Sequence, residues 1–489
     1  MPAYHSPTAD EVAIASKLAG YSMTTEEIHY QHQAAIGMIE SLNFLQDYES
    51  KNSTKPRKLG EKPKENSNTH NQWAWRCKIK EQSSGLLAGI NVGVKDCVAV
   101  AGVPMQAGSK AIMDYIPSFD SPCITALLNE GATIIGKTNC ENMSFSTFSH
   151  TSCNGYVINP YDKNRTSGGS SSGSAVSVAL KDVEMAIGTD TGGSVRIPSS
   201  FCGLVGMKTT AGLIPTKGLT PVAPSLDSIG PITRSVRTNA LTLEVMTRSN
   251  IYLQRLIKGC KFSEDLKRGI KDMNIAVLKE GFEFDFADPE IIKVVKACIE
   301  KLSNLGANVS EISIAESNLG PSILVANMFK ATHWLNDKLC PSGEKTMKSE
   351  IKEHFKDPNQ MIHYAKSATL LRYYFNEEEA DEITERAEEI TDILKVKFVE
   401  NLKMYDAICS PTVLIKAPYL PSKSLPLLEQ FPPMIPLAFN TSLANITGHP
   451  AISINCGYTS ENLPVGIMFT GNYFDEKTLY RIASAIENI

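Results

Sequence analysis

The sequence has no long hydrophobic run, no closely spaced cysteine pair and no surplus of positive charge, and each absence removes a class of function. The first thirty residues carry Asp10, Glu11, Glu26 and Glu27 and hold no unbroken apolar stretch, so neither a secretory leader nor a membrane span is expected. Lys and Arg number 48 against 53 Asp and Glu, a net charge of −5. No basic stripe interleaved with aromatics is present to follow a nucleic-acid backbone, so no nucleic-acid partner is expected. The 11 cysteines run from Cys77 to Cys456 without a C-x-x-C pair or a Cys/His cluster, which argues against a metal site and for reduced thiols in a cytoplasmic protein. Histidine is scarce as well. Of the 9 present, none sits in the Gly/Ser or acidic context of a Ser-His-Asp triad.

What the chain does have is length: 489 residues at 42% hydrophobic content can bury a large core and divide into more than one unit. Thr8 with Glu11 and Thr24 with Glu27 match capping boxes, and Ile28, Ala35, Met38, Ile39, Leu42 and Leu45 recur at helical spacing, so residues 1–72 read as a helical unit followed by a polar linker. Residues 51–71 are nearly free of apolar side chains, as in a solvated connection. From 73 to 489 short strands alternate with helices. The strand-like runs are 90–94, 133–135, 185–187, 275–278, 407–409 and 451–454, and Glu290 to Asn304 is helical in pattern, which together indicate an α/β sheet. Residues 321–403 form a charged, mostly helical insertion whose Glu377–Glu389 stretch reads as a solvated face.

Two Gly/Ser clusters stand out, one over residues 167–174 and one over residues 188–198. A single run of this kind is most simply a flexible loop. The second, however, follows the apolar run Met185-Ala186-Ile187 and precedes a helix-compatible segment, so its glycines form a strand-to-helix turn whose backbone N–H groups lack ladder partners. Such donors can face a developing oxyanion, and a serine beside them, Ser194, is well placed as nucleophile. Gly169-Ser170-Ser171-Ser172-Gly173 also matches the G-x-S-x-G elbow with Ser171 as nucleophile, but the loop-like residues 159–166 stand where a strand is needed. Asp190 and Arg196 flank the serine as a structural ion pair in preference to direct catalysts.

Gly93-Val94-Lys95-Asp96, the Gly169-Ser170-Ser171 cluster and Gly188 through Pro198 resemble the amidase-signature family, and further matches run from about residue 85 to the end. The resemblance implies a central mixed β-sheet covered by helices on both faces, with the N-terminal helical unit added. It implies Lys95 as ultimate base, Ser170 as bridging serine after a cis Gly169-Ser170 bond, and Ser194 as nucleophile. The oxyanion hole maps to the N–H groups of Thr191, Gly192 and Gly193 with that of Ser194, and no metal or organic cofactor is needed. For this chemistry the lysine must be neutral although its ordinary pKa is about 10.4, so burial among hydroxyls is expected and Asp96 should point elsewhere. Ser167 and Ser172 depart from the family's usual proline and glycine.

The N-terminal unit makes the chain similar to stand-alone acylamidases, in which such helices contribute to a homodimer. The substrate implied is a small-molecule amide, with esters and carbamates (urethanes) open to the same attack. Met143, Phe145, Trp334 and Ile446 are candidates for an apolar acyl pocket. Two alternatives stay open: the amidase subunit of a tRNA-dependent amidotransferase, and a non-catalytic scaffold.

Overall fold

The computed structural model describes residues 5–46, 57, 60–112, 114–250, 261–331, 351, 354–355 and 357–488. Its centre is an 11-stranded mixed sheet ordered β1-β3-β2-β4-β6-β5-β10-β11-β9-β7-β8. The strands are β1 (Trp73–Ile79), β2 (Asn91–Lys95), β3 (Thr133–Thr138), β4 (Met185–Asp190), β5 (Val205–Lys208), β6 (Ser228–Thr233), β7 (Asn274–Leu278), β8 (Asn308–Ile312), β9 (Ala407–Pro411), β10 (Ala451–Tyr458) and β11 (Pro464–Thr470). β2 runs parallel to both β3 and β4, and β7 to both β8 and β9, while β4–β6, β5–β6, β5–β10, β10–β11, β9–β11 and β1–β3 are antiparallel.

Successive side chains of a strand point to opposite faces, and here both faces are covered. Met185 and Ile187 enter one apolar cluster with Val92, Val94 and Ile229, whereas Ala186 between them joins Trp73, Val176, Val195 and Ile232 in another. A strand buried on both sides reads as a continuous apolar run, which is why 185–187 was legible. The covering helices follow their own period. In the helix Pro289–Asn304 the Asp288 side chain caps the Glu290 amide at 2.8 Å, and Ile291, Val295, Cys298 and Leu302 are its buried stripe.

All six strand-like runs fall on strands, the run 90–94 offset by one residue from β2, and five further strands, β1, β5, β6, β8 and β11, were not anticipated. β6 contains Gly230-Pro231 and β11 begins Pro464-Val465-Gly466, compositions that suppress a strand reading although both strands are buried throughout. The polar stretch before β1 also differs from expectation. Glu61 and Arg76 exchange backbone hydrogen bonds, and the Arg57 guanidinium bonds both Asp120 oxygens (2.6 and 2.7 Å) and Glu81. Backbone and amide hydrogen bonds, together with the Arg57 ion pairs, rather than apolar content dock its described residues onto the body. Both N-terminal capping boxes form, at the helices Ala9–Leu18 and Thr25–Gln46. The described helices of the insertion are Gly320–Ala331, His363–Tyr374 and Glu377–Leu402. Among the described residues no helix is long and apolar enough to cross a membrane.

The parallel neighbours β2 and β4 end side by side, with Val94 opposite Ile187. At their carboxyl ends lie Lys95, the last residue of β2, and the loop that carries Ser194, where α/β sheets ordinarily place their chemistry.

Candidate active site

Lys95, the last residue of β2, is fully buried, and its Nζ lies 2.7 Å from Ser170 Oγ and 2.7 Å from Thr189 Oγ1. Among the described residues no carboxylate pairs with it. Asp96, its neighbour in sequence, turns away: its carboxylate accepts the amides of Gln106 (3.1 Å) and Gly108 (3.3 Å) and lies 3.6 Å from the Lys137 ammonium. A primary amine ringed by hydroxyls in an apolar interior keeps hydrogen-bond partners in either protonation state. As an ammonium it donates to Ser170, and as an amine it can accept the Ser170 proton across the same gap.

The Gly169-Ser170 peptide bond is cis. Around it packing is close: a Cβ on Gly169 would lie 2.0 Å from the Phe148 carbonyl oxygen, so only glycine fits there. The Ser170 carbonyl accepts the Glu141 amide at 3.2 Å. Ser171 is held by β4, its Oγ donating to the Thr189 carbonyl (3.1 Å) and accepting the Thr189 amide (3.2 Å), which removes it as a free nucleophile. Its own amide donates to the Ser194 carbonyl at 3.2 Å and thus brings the two serine clusters together. Ser167 Oγ donates to the Val157 carbonyl at 3.2 Å, so that departure from the family pattern is absorbed locally, whereas Ser172 opens the helix Ser172–Ala179 with its buried hydroxyl bonded to no described residue.

The loop 191–195 is organised from inside by Asp190. Its carboxylate accepts the amides of Gly193 (2.8 Å) and Val195 (3.0 Å), the Arg196 guanidinium at 2.9 and 3.1 Å, and the Asn445 side-chain amide at 3.0 Å. Both members of the Asp190–Arg196 pair are fully buried. Burial pushes the Asp190 carboxyl upward, but the Arg196 charge and these hydrogen bonds outweigh it and hold the group at about 2. The loop differs from the expected oxyanion hole at one donor. Gly193 N–H is committed to Asp190, so the amides of this loop without an acceptor among the described residues are those of Thr191, Gly192 and Ser194. Ser194 is 6% exposed, and its hydroxyl makes no hydrogen bond to Ser170 or any other described residue.

The proposed apolar pocket divides. Met143 and Phe145 are buried members of the main core, and Ile446 is a buried member of a separate cluster with Leu394, Phe398, Leu402, Ile408 and Leu443. Trp334 lies outside the described residues. The contacts at the loop come instead from Leu324, whose Cδ2 would meet a Cβ on Gly192 at 3.0 Å, and from Thr441, whose Oγ1 donates to the Gly192 carbonyl at 2.7 Å. Thr189 and Asp227, which accepts the Thr191 hydroxyl at 2.6 Å, were also missed. Thr189 lay inside the Gly188-to-Pro198 match and Asp227 within the wider family likeness from about residue 85 onward, and that position was the available signal; Leu324 and Thr441 carry none.

A family model described as Amidase matches residues 63–480. A glutamyl-tRNA(Gln) amidotransferase subunit from Staphylococcus aureus (strain bovine RF122 / ET3-1) is 32% identical over 441 residues, covering 87% of this chain and 88% of that protein. The structure of the corresponding glutamyl-tRNA(Gln) amidotransferase subunit from Thermotoga maritima superposes with a TM-score of 0.71 at 27% identity, over 86% of this chain and 88% of its own. A structure of an amidase superposes with a TM-score of 0.68 at 24% identity, over 98% of this chain and 95% of its own.

Proposed function

The chain belongs to the amidase family and is an amidase-signature hydrolase, and from that premise we propose that Lys95, Ser170 and Ser194 are the residues that cleave the C–N bond. The Lys95 amino group draws the proton of Ser170 while Ser170 draws that of Ser194, and Ser194 Oγ attacks the carbonyl carbon. The amides of Thr191, Gly192 and Ser194 receive the charge that develops on oxygen. As the C–N bond breaks the proton returns along the same path to the leaving nitrogen. Water then repeats the attack on acyl-Ser194 and releases the carboxylate. The observation that carries this reading is the buried Lys95 amino group at 2.7 Å from two hydroxyls and paired with no described carboxylate.

The same attack and oxyanion stabilisation serve esters and carbamates, so urethane hydrolysis is part of the proposal. Ammonia or amine release from acetamide, benzamide and ethyl carbamate tests it. Ser194→Ala should lower the rate by about a thousandfold or more, and Lys95→Ala should do likewise while leaving the fold intact by circular dichroism. An unchanged rate in Ser194→Ala overturns the assignment.

A second reading, the amidase subunit of a tRNA-dependent amidotransferase, is favoured by the 32% identity to such a subunit. Against it, the fold likeness to an amidase extends over 98% of this chain. Hydrolysis of simple amides by the isolated chain favours the stand-alone enzyme; hydrolysis of glutamine alone favours the amidotransferase reading. A homodimer built on the N-terminal helices belongs to the same proposal, supported by the exposed Ile14, Leu18, Tyr21, Tyr30 and Met38 of that region. The free thiols of the described cysteines suit a cytoplasmic, reducing compartment.

A further inference from the structure

The orientation of an oxyanion donor is the orientation of its peptide plane, and the loop 191–195 can be read plane by plane. The plane joining Asp190 and Thr191 is fixed by Asn445, whose side-chain amide donates to the Asp190 carbonyl at 3.0 Å. The plane joining Gly192 and Gly193 is fixed at both ends, by Thr441 on the Gly192 carbonyl and by Asp190 on the Gly193 amide. The plane between them, Thr191 to Gly192, has neither its carbonyl nor its amide bonded to any described residue. Its setting depends on the Thr191 side chain, and that side chain is pinned by a single bond, the 2.6 Å donation to Asp227 Oδ1.

Asp227 is built to hold that position. It immediately precedes β6 and is 7% exposed. Its Oδ2 accepts the Val222 amide at 3.0 Å, and its Oδ1 accepts the Ala223 amide at 3.3 Å besides the Thr191 hydroxyl. We propose that Asp227 is a positioning residue which, acting through Thr191, aims the Gly192 N–H at the oxyanion, and that its protonation releases this latch. The inference rests on the reading of Ser194 as nucleophile.

The two carboxylates that hold the loop differ in one respect. Asp190 has a guanidinium beside it, whereas among the described residues no cation pairs with Asp227. Burial pushes the Asp227 carboxyl up to about 6, against the bonds from Thr191, Val222 and Ala223, and the charge of the Cys97 thiolate on the loop after β2 adds in the same direction. At the far end of the loop Arg196 is spent on Asp190, Asn445 and Met468 Sδ. A neutral carboxyl is a weaker acceptor than a carboxylate, so the latch loosens as pH falls through about 6 while Asp190 stays ionised to about 2.

The test measures kcat and KM for a turned-over amide between about pH 5 and 9 in the wild type, Asp227→Asn, Thr191→Val and the double variant. The wild type should show an acid limb near the titration of Asp227. Asp227→Asn, permanently uncharged, should run about ten- to a hundredfold lower in kcat at neutral pH, without that limb and with KM little changed. Thr191→Val should match it, the double variant should be no worse than either single one, and Thr191→Ser, which keeps the hydroxyl, should recover. Losses that multiply, an acid limb that persists in Asp227→Asn, or a Thr191→Val kcat within about twofold of wild type overturn the latch. Should Asp227→Asn fail to fold, the contrast between Thr191→Val and Thr191→Ser decides alone. Ser194→Ala separates the two levels: retained activity there overturns the nucleophile assignment, whereas its loss together with an unaffected Thr191→Val overturns only the latch.

Discussion

The fate of each polar group in this site follows from what replaces water around it. Asp190 and Lys95 are both fully buried, yet one is matched by a guanidinium and three amide donors and the other only by hydroxyls. Removing one partner of a buried ion pair leaves an uncompensated charge, and this generally costs about 3–5 kcal/mol. Asp190→Ala should therefore lower the stability measured by urea unfolding by an amount in that range, with Ser194 labelling by a fluorophosphonate lost in parallel because Gly193 and Val195 lose their acceptor. The sign with pH follows. The Asp190 carboxyl is depressed to about 2 when folded, so its stabilisation is present above the unfolded carboxyl pKa and is lost as pH falls through about 2. Acid unfolding of Asp190→Asn should accordingly lack this increment. Asp227 runs the other way, its folded pKa being raised, so ionising it costs stability as pH rises past its unfolded value.

At the scale of the element, β4 and the loop after it act as one part. β4 is buried along its whole length between β2 and β6, so its end point is fixed by two ladders before the loop begins. Gly193 sits at φ +124, a region side chains rarely enter, and a Cβ there would lie 2.2 Å from Thr441 Oγ1 and 2.8 Å from Ile197 Cδ1. Gly193→Ala must displace Thr441 and so break its bond to the Gly192 carbonyl. The expected result is a kcat at least about tenfold lower with a stability loss of roughly 1–3 kcal/mol, read by steady-state kinetics and thermal unfolding. Wild-type kinetics in this variant would mean that the loop tolerates a different path. Helix capping belongs to the same scale, and at Thr8 and Thr24, each with a Glu three residues on, it was readable in advance; Asn376 with Glu379 caps the helix Glu377–Leu402 in the same way.

For the whole molecule, the large sheet gathers strands from Trp73 to Thr470 into one body, and β1, which starts immediately after the polar stretch, is paired to β3 at its edge. The helices Ala9–Leu18 and Thr25–Gln46 pack on one another, and their exposed apolar side chains are the surface on which the proposed homodimer would form. Size-exclusion chromatography should give a dimer, and a variant with Leu18, Tyr21 and Tyr30 changed to Ser should elute as a monomer that keeps its Ser194 reactivity. A monomeric wild type removes the dimer without touching the catalytic proposal.

By itself the sequence determined the α/β class, the runs 90–94 and 185–187 that lead into Lys95 and Asp190, and the motif that singles out Ser194, because burial on both faces and glycine at tight turns leave direct marks on residue type. It could not show β6 or β11, whose Pro and Gly are tolerated only because neighbouring strands supply the pairing. Nor could it rank Ser170 above Ser171, or free amides above Gly193. Those distinctions are made by partners far along the chain: Lys95 75 residues from Ser170, Thr191 36 from Asp227 and Asp190 255 from Asn445. A hydrogen bond has no sequence signature when only the fold brings its two ends together.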